Sequence, residues 1–247
     1  DNGFTVSTSI EIDGNNMDDR SISIDTGDMG KLTFSGSGSS GPIGAWDDVT
    51  PSANEEAHGV AVSGTAAGAA NAASSANRFI YDYTAMDGLA IKAAYTPSAG
   101  TTSVESSTEI GALYTGIEGL SIYAAMGENN DQPTTGITGK ADLTAFAVTY
   151  AMGAITVGVQ TSEKDVSGGS TSDTESSAFG LSYVVSDDLS VSVGSHEIEY
   201  NSGDDQEASA IGIAYTMGSM SISGSYHSVD NLSLIHISEP TRQAEIS

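Results

Sequence analysis

The sequence predicts an all-β protein built as one antiparallel sheet of hairpins, with the proportions of a transmembrane β-barrel. Three observations lead to this prediction. Bulky apolar residues alternate with small or polar residues, which is the period of a strand with one apolar face. Short turns containing Gly or Asp separate the alternating segments. The connections at the other ends of these segments are long and polar.

The composition excludes several classes of function. The chain has 247 residues, with 33 Asp and Glu against 7 Lys and Arg, so it cannot neutralise the phosphates of a nucleic acid. It contains no Cys, which removes thiolate metal sites and cysteine nucleophiles. No apolar run reaches the roughly eighteen residues of a membrane-spanning helix. Ser, His and Asp form no pattern that indicates catalysis, and we predict that the protein is not an enzyme.

The clearest hairpin joins Phe79–Tyr83 to Leu89–Tyr95. In both segments the odd positions carry the bulky side chains, so these side chains share one face. The same unit occurs five times, and a tyrosine closes the strand before each short turn. Aromatic rings at one level favour the interface between lipid and water, so we predict an aromatic girdle. It comprises Tyr83, Tyr114, Tyr150, Tyr183 and Tyr215.

Thirteen segments are predicted as strands. They are Phe4–Ile12, Ser21–Asp25, Lys31–Gly36, Arg78–Tyr83, Leu89–Tyr95, Ser107–Tyr114, Leu120–Met126, Asp142–Tyr150, Ala154–Thr161, Ser176–Val184, Leu189–Tyr200, Glu207–Tyr215 and Met220–His227. The eleventh changes parity near Ser195, as a β-bulge would cause. His196 and His227, near the loop ends of their strands, are expected to be solvated. A closed single-chain bacterial barrel has an even number of strands, so thirteen strands predict an incomplete barrel.

One connection is far longer than the others. Ser37 to Asn77 separates two predicted strands, whereas hairpin loops usually take two to five residues. Loops of this length are functional or disordered, and Trp46 beside several acidic residues indicates an ordered part.

A resemblance to a known family rests on Gly27–Phe34, Trp46–Pro51 and hairpins such as Tyr215–Met220. In these segments the chain resembles the general diffusion porins of Gram-negative outer membranes, particularly those of marine alphaproteobacteria. The resemblance covers residues 1–231. It implies an outer-membrane channel in a lipid bilayer, open to passive diffusion of small hydrophilic solutes and ions, and assembled as a homotrimer. It also implies that the loop at 37–77 is a constriction loop that folds back into the pore.

The resemblance implies a barrel of sixteen strands, in which the strand before the constriction loop is the fifth. Here the corresponding strand is only the third, so two strands are expected to be missing before Asp1 and one at the end. Expressed alone, such a fragment is expected not to form conducting barrels, because lipid cannot satisfy the backbone groups of its open edges.

The last residues depart from the resemblance. Leu232–Arg242 looks like a translated reading frame of a transposase-type adapter used in sequencing libraries, and Gln243–Ser247 continues it. Family members would instead end in an amphipathic strand with a terminal aromatic residue. We therefore interpret residues 1–231 as the barrel fragment and residues 232–247 as a non-native tail.

Alternation also assigns charged residues to the lumen. Leu32 and Phe34 have outward parity, so Lys31 faces inward. The same parity gives a basic pore wall of Lys31, Arg78 and Lys92, and an acidic pore wall of Glu11, Asp25, Asp82 and Glu109. The acids expected at the constriction are Asp47, Asp48, Glu55 and Glu56, and the resemblance implies that they face the basic wall across a transverse field. The alternative, of equal weight for Glu55 and Glu56, is that they lie on an exposed part of the loop. Because acids outnumber bases, we predict a weakly cation-selective pore.

A second class of function fits the same alternation. A secreted, soluble, all-β adhesin or surface-layer module would bury the apolar face that a barrel presents to lipid. Its acidic runs at 13–19, 128–131 and 204–205 could hold calcium through oxygen ligands, although none has full EF-hand spacing. The level of the tyrosines and the segregation of long loops favour the channel. No cofactor is predicted apart from possible weak calcium at these acidic loops.

Overall fold

The computed structural model describes residues 3–14, 16–37, 39–46, 48–57, 77–98, 105–130, 140–166, 173–201, 203–231 and the backbone of 242–246. These residues form one antiparallel sheet in which strands pair with their neighbours in the chain. The strands are β1 Thr5–Asp13, β2 Asn16–Asp25, β3 Lys31–Ser37, β4 Arg78–Met86, β5 Leu89–Thr96, β6 Ser107–Ile117, β7 Leu120–Asn129, β8 Ala141–Met152, β9 Ile155–Val166, β10 Thr174–Ser186, β11 Leu189–Tyr200, β12 Gln206–Met217, β13 Met220–Asp230 and β14 Arg242–Ile246. A 3-10 turn at Gly27–Met29 joins β2 to β3, and a single helical turn, α1 Pro42–Ala45, follows β3.

The thirteen predicted strands correspond to β1–β13, which confirms the all-β antiparallel prediction. Several strands extend past their predicted ends, because backbone pairing continues where the alternation of apolar residues fades. Within the described ranges no pairing joins β1 to β14, so the sheet is not closed into a barrel.

The strand β14 was not predicted and lies in the segment interpreted as a non-native tail. Its residues Arg242–Ile246 pair with Ile222–Tyr226 of β13. The free edge of β13 explains this pairing, because unpaired N–H and C=O groups accept an extended segment through its backbone. This pairing through the backbone does not require alternating apolar residues in Arg242–Ile246.

The β-bulge predicted near Ser195 is wrong. Ser195 pairs with Phe179 of β10 and with Ser209 of β12, and both registers run through this point without a shift. The change of pattern has another cause. Beyond Ser195 the outward position is taken by Glu197 and the inward position by the buried Ile198. This end of β11 therefore lies beyond the apolar band of the outer face.

The two faces of the sheet differ in the size of their side chains. One face exposes large apolar side chains, and Ile110, Phe146 and Ile211 are 53%, 48% and 61% exposed. The opposite face carries mainly Ala, Gly and Ser and is partly covered by the connection after β3. A sheet in water would bury the large side chains, whereas a transmembrane sheet turns them to lipid.

The short turns lie together at one end of the sheet. Two-residue turns join β4 to β5, β6 to β7, β8 to β9, β10 to β11 and β12 to β13. Neighbouring turns are linked through the backbone, as where Ala151 N–H donates to Gly119 O at 2.8 Å. The five predicted girdle tyrosines lie on the outward face of the strands that lead into these turns. In the described part of the chain, no helix is long and apolar enough to cross a membrane.

Candidate functional site

The connection between β3 and β4 lies against the inner face of the sheet. Its helical turn α1 contacts β5, β6, β7 and β8. Four hydrogen bonds then tie successive loop residues to successive strands. They join Ile43 N–H to Glu109 Oε2 on β6 (3.1 Å), Val49 N–H to Gln160 Oε1 on β9 (3.3 Å), Ala53 N–H to Ser192 Oγ on β11 (2.8 Å) and Asn54 Nδ2 to Ser225 Oγ on β13 (3.2 Å). The described part of this loop therefore crosses the inner face from β6 to β13.

An apolar cluster fixes the first part of the loop. Ile43 is fully buried, and Trp46 packs edge-on against Tyr123 of β7 with ring centroids 5.9 Å apart. The wall side of the cluster consists of Ala125, Ala141, Leu143, Ala145 and Val166. Because these side chains exclude water beneath α1, polar groups at its edge depend on partners within the protein.

Arg78 and Glu109 form a buried ion pair beneath the start of the loop. Arg78 Nη2 on β4 lies 3.1 Å from Glu109 Oε1 on β6, and the side chains are 1% and 2% exposed. The same nitrogen donates to Thr96 Oγ1 on the intervening strand β5 at 3.3 Å. Both charges were predicted on the open pore wall. They have the predicted inward parity but lie beneath the loop, because the carboxylate also accepts the N–H of Ile43.

Four charged residues of alternating sign lie side by side on β2, β3, β4 and β5. The register places Asp25 opposite Lys31, Lys31 opposite Asp82, and Asp82 opposite Lys92. Lys92 Nζ is 2.9 Å from Asp82 Oδ1. Opposite charges at directly paired positions stabilise a sheet. Two predicted wall bases thus alternate with two predicted wall acids, so the row has no net charge. The row lines a cavity of about 660 Å³ beside Trp46.

Three of the four acids predicted at the constriction come together on the loop. Carboxylate oxygens of Asp48, Glu55 and Glu56 lie within 4.8 Å of one another. Burial raises the pKa of Glu56 above its ordinary value of 4.5, and the charge of Asp48 raises it further. The hydroxyl of Ser52 donates to Glu56 Oε1 at 3.0 Å, which opposes this rise. Negative charge is therefore crowded here. Asp47 lies outside the described residues.

Glu11 is placed apart from this arrangement. It is exposed on β1 at an irregularity, where the pairing with β2 jumps from Ile10 to Ile12. One residue of β1 therefore faces two residues of β2, Asp18 and Asp19, which is the count of a β-bulge.

The acidic runs considered for calcium use several of their polar groups within the chain. Asp205 Oδ1 accepts the N–H of Tyr200 at 3.1 Å, and its carbonyl accepts the amide of Asn231 at 2.9 Å. Glu128 lies 3.6 Å from Lys140 in an ion pair that is about half exposed. Calcium at these loops stays a prediction.

The burial of two histidines near the last described residues of the loop was missed by sequence reasoning. His196 and His227 were expected to be solvated, but they are 6% and 5% exposed. His227 Nδ1 lies 3.3 Å from Ala57 O, and its Nε2 lies 2.8 Å from Ser225 Oγ. The alternation of residues places both histidines on the inner face, and this could have indicated their burial. The pattern of β13 gives no indication, however, that a distant loop contacts His227.

A family model described as Gram-negative porin matches residues 1–234 of the chain. The chain belongs to this family. The porin assignment confirms the resemblance seen in the sequence and places the protein in the outer membrane as a non-enzymatic channel. The soluble adhesin is thereby set aside. A search of curated proteins finds no match to this porin.

Solved structures of porins share the fold of this chain. An anion-selective porin from Comamonas acidovorans has a TM-score of 0.68 at 15% identity, and the alignment covers 92% of this porin and 74% of that chain. A mutant of the Rh. blastica porin has a TM-score of 0.64 at 16% identity, with coverage of 92% and 80%. A loop-deletion mutant of OmpT from Vibrio cholerae has a TM-score of 0.63 at 17% identity, with coverage of 87% and 74%. Identities this low establish the fold alone.

Proposed function

We propose that this porin is a diffusion channel for small hydrophilic solutes and ions with a weak preference for cations. Family membership supports the channel, and the carboxylates of Asp48, Glu55 and Glu56 on the loop support the preference. A charged group at a narrow point of a pore selects ions of opposite sign. One structural neighbour is described as anion-selective, so the fold alone does not imply a preference for cations.

The pairing of the basic residues favours the same sign. The resemblance implied a basic wall opposite the loop. However, Arg78 pairs with Glu109 under the loop, and Lys92 pairs with Asp82. The loop instead brings the carboxylates of Asp48, Glu55 and Glu56 together. Burial raises the pKa of Glu56, and the charge of Asp48 raises it further. The field beside the loop is then mainly negative, and it attracts cations.

Reversal potentials across planar bilayers test the proposal in the complete barrel. The triple change Asp48→Asn, Glu55→Gln and Glu56→Gln is expected to abolish the cation preference. Changing Glu163, Glu175 and Glu199 to Gln removes the same amount of charge and serves as the control, because these three exposed residues lie opposite one another on the outward face. Anion preference in the unsubstituted channel would contradict the proposal, as would a reversal potential that the first triple change leaves unmoved.

A smaller change on the same loop gives a graded result. The double substitution Asp47→Asn and Asp48→Asn is expected to diminish the cation preference. It removes two of the four predicted constriction acids, so its effect should be smaller than that of the triple change.

We further propose that the complete barrel is a homotrimer in the bilayer. The resemblance implies this state, and the exposed apolar outer face is suitable for contacts between barrels as well as with lipid. Native mass measurement in mild detergent is expected to give a trimer, and a monomer would contradict the proposal.

Weak calcium binding at the acidic loops is a separate proposal. Carboxylate and carbonyl oxygens are the ligands that calcium takes, and the loops at 128–131 and 204–205 provide them. Calorimetric titration with calcium chloride is expected to show weak binding, and an absence of heat would contradict it.

A further inference from the structure

Beneath the loop, three neighbouring strands of the inner wall carry glycine at directly paired positions. Gly158 on β9 pairs directly with Gly180 on β10, and Gly180 pairs directly with Gly194 on β11. All three have inward parity. Three neighbouring strands therefore carry no side chain where the loop crosses them.

Pro51 of the loop lies directly on this backbone. A Cβ atom built on Gly158 would be 2.5 Å from Pro51 Cδ. One built on Gly180 would be 2.6 Å from Pro51 O and 2.9 Å from Pro51 N. Ordinary carbon contacts begin near 3.5 Å, so a methyl group at either position requires the loop to move by about 1 Å.

The loop is held on both sides of Pro51, which limits the direction of that movement. Val49 N–H donates to Gln160 on one side, and Ala53 N–H donates to Ser192 on the other. A sideways slip along the wall would break both hydrogen bonds. A Cβ on the wall also pushes Pro51 away from the wall. The displacement is therefore into the lumen, and it lengthens the same two hydrogen bonds.

We propose that Gly158 and Gly180 set the aperture of the channel by allowing the constriction loop to lie flat on the wall. Neither glycine places a group in the lumen, yet a side chain at either position lifts the loop into it. The narrowest cross-section limits which solutes pass, so these two positions determine the size limit. The inference rests on the proposed channel function and adds the residues that fix the pore width.

The two glycines differ in the atoms they accommodate, which provides an internal control. At Gly158 the obstructing atom is Pro51 Cδ, which belongs to a side chain and is removed by Pro51→Ala. At Gly180 the obstructing atoms are the backbone O and N of Pro51, which no substitution of Pro51 removes. Pro51→Ala is therefore expected to rescue Gly158→Ala but not Gly180→Ala.

A disulfide can report whether the loop lies against the wall, which we call the seated state, or is displaced from it. A Cβ built on Gly194 would lie 3.5 Å from Cβ of Ala57, which is within the range for a disulfide. The chain has no Cys of its own, so the pair Ala57→Cys and Gly194→Cys has no competing thiol. In detergent, the yield of this disulfide after mild oxidation measures the seated fraction.

In the first experiment the disulfide yield is compared among variants of the refolded chain. Gly158→Ala and Gly180→Ala are each expected to shift the ratio of seated to displaced loop by roughly fivefold or more, as overpacking does. The control is Gly224→Ala on β13, because a Cβ there would meet no atom within 4 Å, and it should leave the yield unchanged. Equal yields in all variants would overturn the proposal, as would rescue of Gly180→Ala by Pro51→Ala.

In the second experiment the same variants are reconstituted as complete barrels. Gly180→Ala is expected to lower single-channel conductance and to reduce the size of sugar that enters proteoliposomes, whereas Gly224→Ala changes neither. Unaltered conductance together with an unaltered size limit would overturn the proposal. If the unsubstituted barrel fails to conduct, the proposed function fails, while the disulfide yields still decide whether the glycines seat the loop.

Discussion

Glu109 joins the wall to the loop, because one of its carboxylate oxygens pairs with Arg78 and the other accepts the N–H of Ile43. Removing one partner of a buried ion pair leaves an uncompensated charge, whereas removing both partners is often tolerated. The strength of this joint can therefore be tested through either partner.

The substitution Glu109→Gln is expected to destabilise the folded chain by about 3–5 kcal/mol, because Arg78 keeps its charge without a counter-ion. Urea unfolding in detergent measures this change, with the fluorescence of Trp46, the only tryptophan, as the signal. Glu128→Gln is the control, since Glu128 belongs to a half-exposed pair whose loss should cost about 1 kcal/mol or less. The double change Arg78→Met and Glu109→Leu should be less harmful than Glu109→Gln alone. Equal losses of unfolding free energy for Glu109→Gln and Glu128→Gln would contradict a stabilising role for the buried pair of Arg78 and Glu109.

The row of alternating charges predicts a selectivity change that depends on which sign is removed. Lys92→Met leaves Asp82 without its partner at 2.9 Å, so the lumen becomes more negative and the reversal potential should move toward stronger cation preference. Asp82→Asn should move it the other way. Shifts in the same direction for both variants would show that these residues do not act through their charge.

The raised pKa of Glu56 predicts that pH affects both the loop and the selectivity. Burial, followed by the charge of Asp48, raises this pKa above 4.5 in the folded state, so the seated loop binds the proton more tightly than the unfolded chain. This stabilisation is present below 4.5 and is lost as the pH rises through the folded pKa. Over the same window Glu56 gains charge, so cation preference should increase.

Reversal potentials from below pH 4.5 to neutral pH measure that increase. Glu56→Gln is expected to flatten the dependence, whereas Glu163→Gln on the outward face should preserve it. A steep dependence that survives Glu56→Gln would assign the titration to another group.

Two turn glycines predict unequal stability losses. Gly119 and Gly153 both have positive φ, 77° and 61°, where an alanine is strained by about 1 kcal/mol or more. A Cβ on Gly119 would also strike the carbonyl oxygen of Ala151 at the end of β8, whereas one on Gly153 meets no atom within 4 Å. Gly119→Ala should therefore lower the urea midpoint more than Gly153→Ala. Equal midpoints would mean that contact between the turns contributes nothing.

The strands could be predicted because a period of two is a local property of the sequence. The parity of Lys31, Asp82 and Lys92 followed from the same pattern. What could not be predicted is which charges meet across the sheet. The pairing of Arg78 with Glu109 depends on the registers of β4, β5 and β6 together, and a shift of one residue in any of them would separate the pair.

The path of the loop across the inner face also could not be predicted from the sequence pattern. Its anchors, Gln160, Ser192 and Ser225, are ordinary inward polar residues that become informative only when the loop lies on them. The parity change in β11 was misread for the same reason. An inward Ile198 resembles a bulge when the covering of the inner face is unknown.

The hydrogen bonds of the loop reach progressively later parts of the chain. Those from Ile43, Val49, Ala53 and Asn54 span 66, 111, 139 and 171 residues. Contacts between residues far apart in sequence form late in folding, whereas each hairpin of the sheet is local. A wall that has grown only as far as β9 can hold Val49 but has no place for Asn54. We therefore expect the narrowed pore to be assembled only after β13, the last strand that anchors the described part of the loop, has joined the wall.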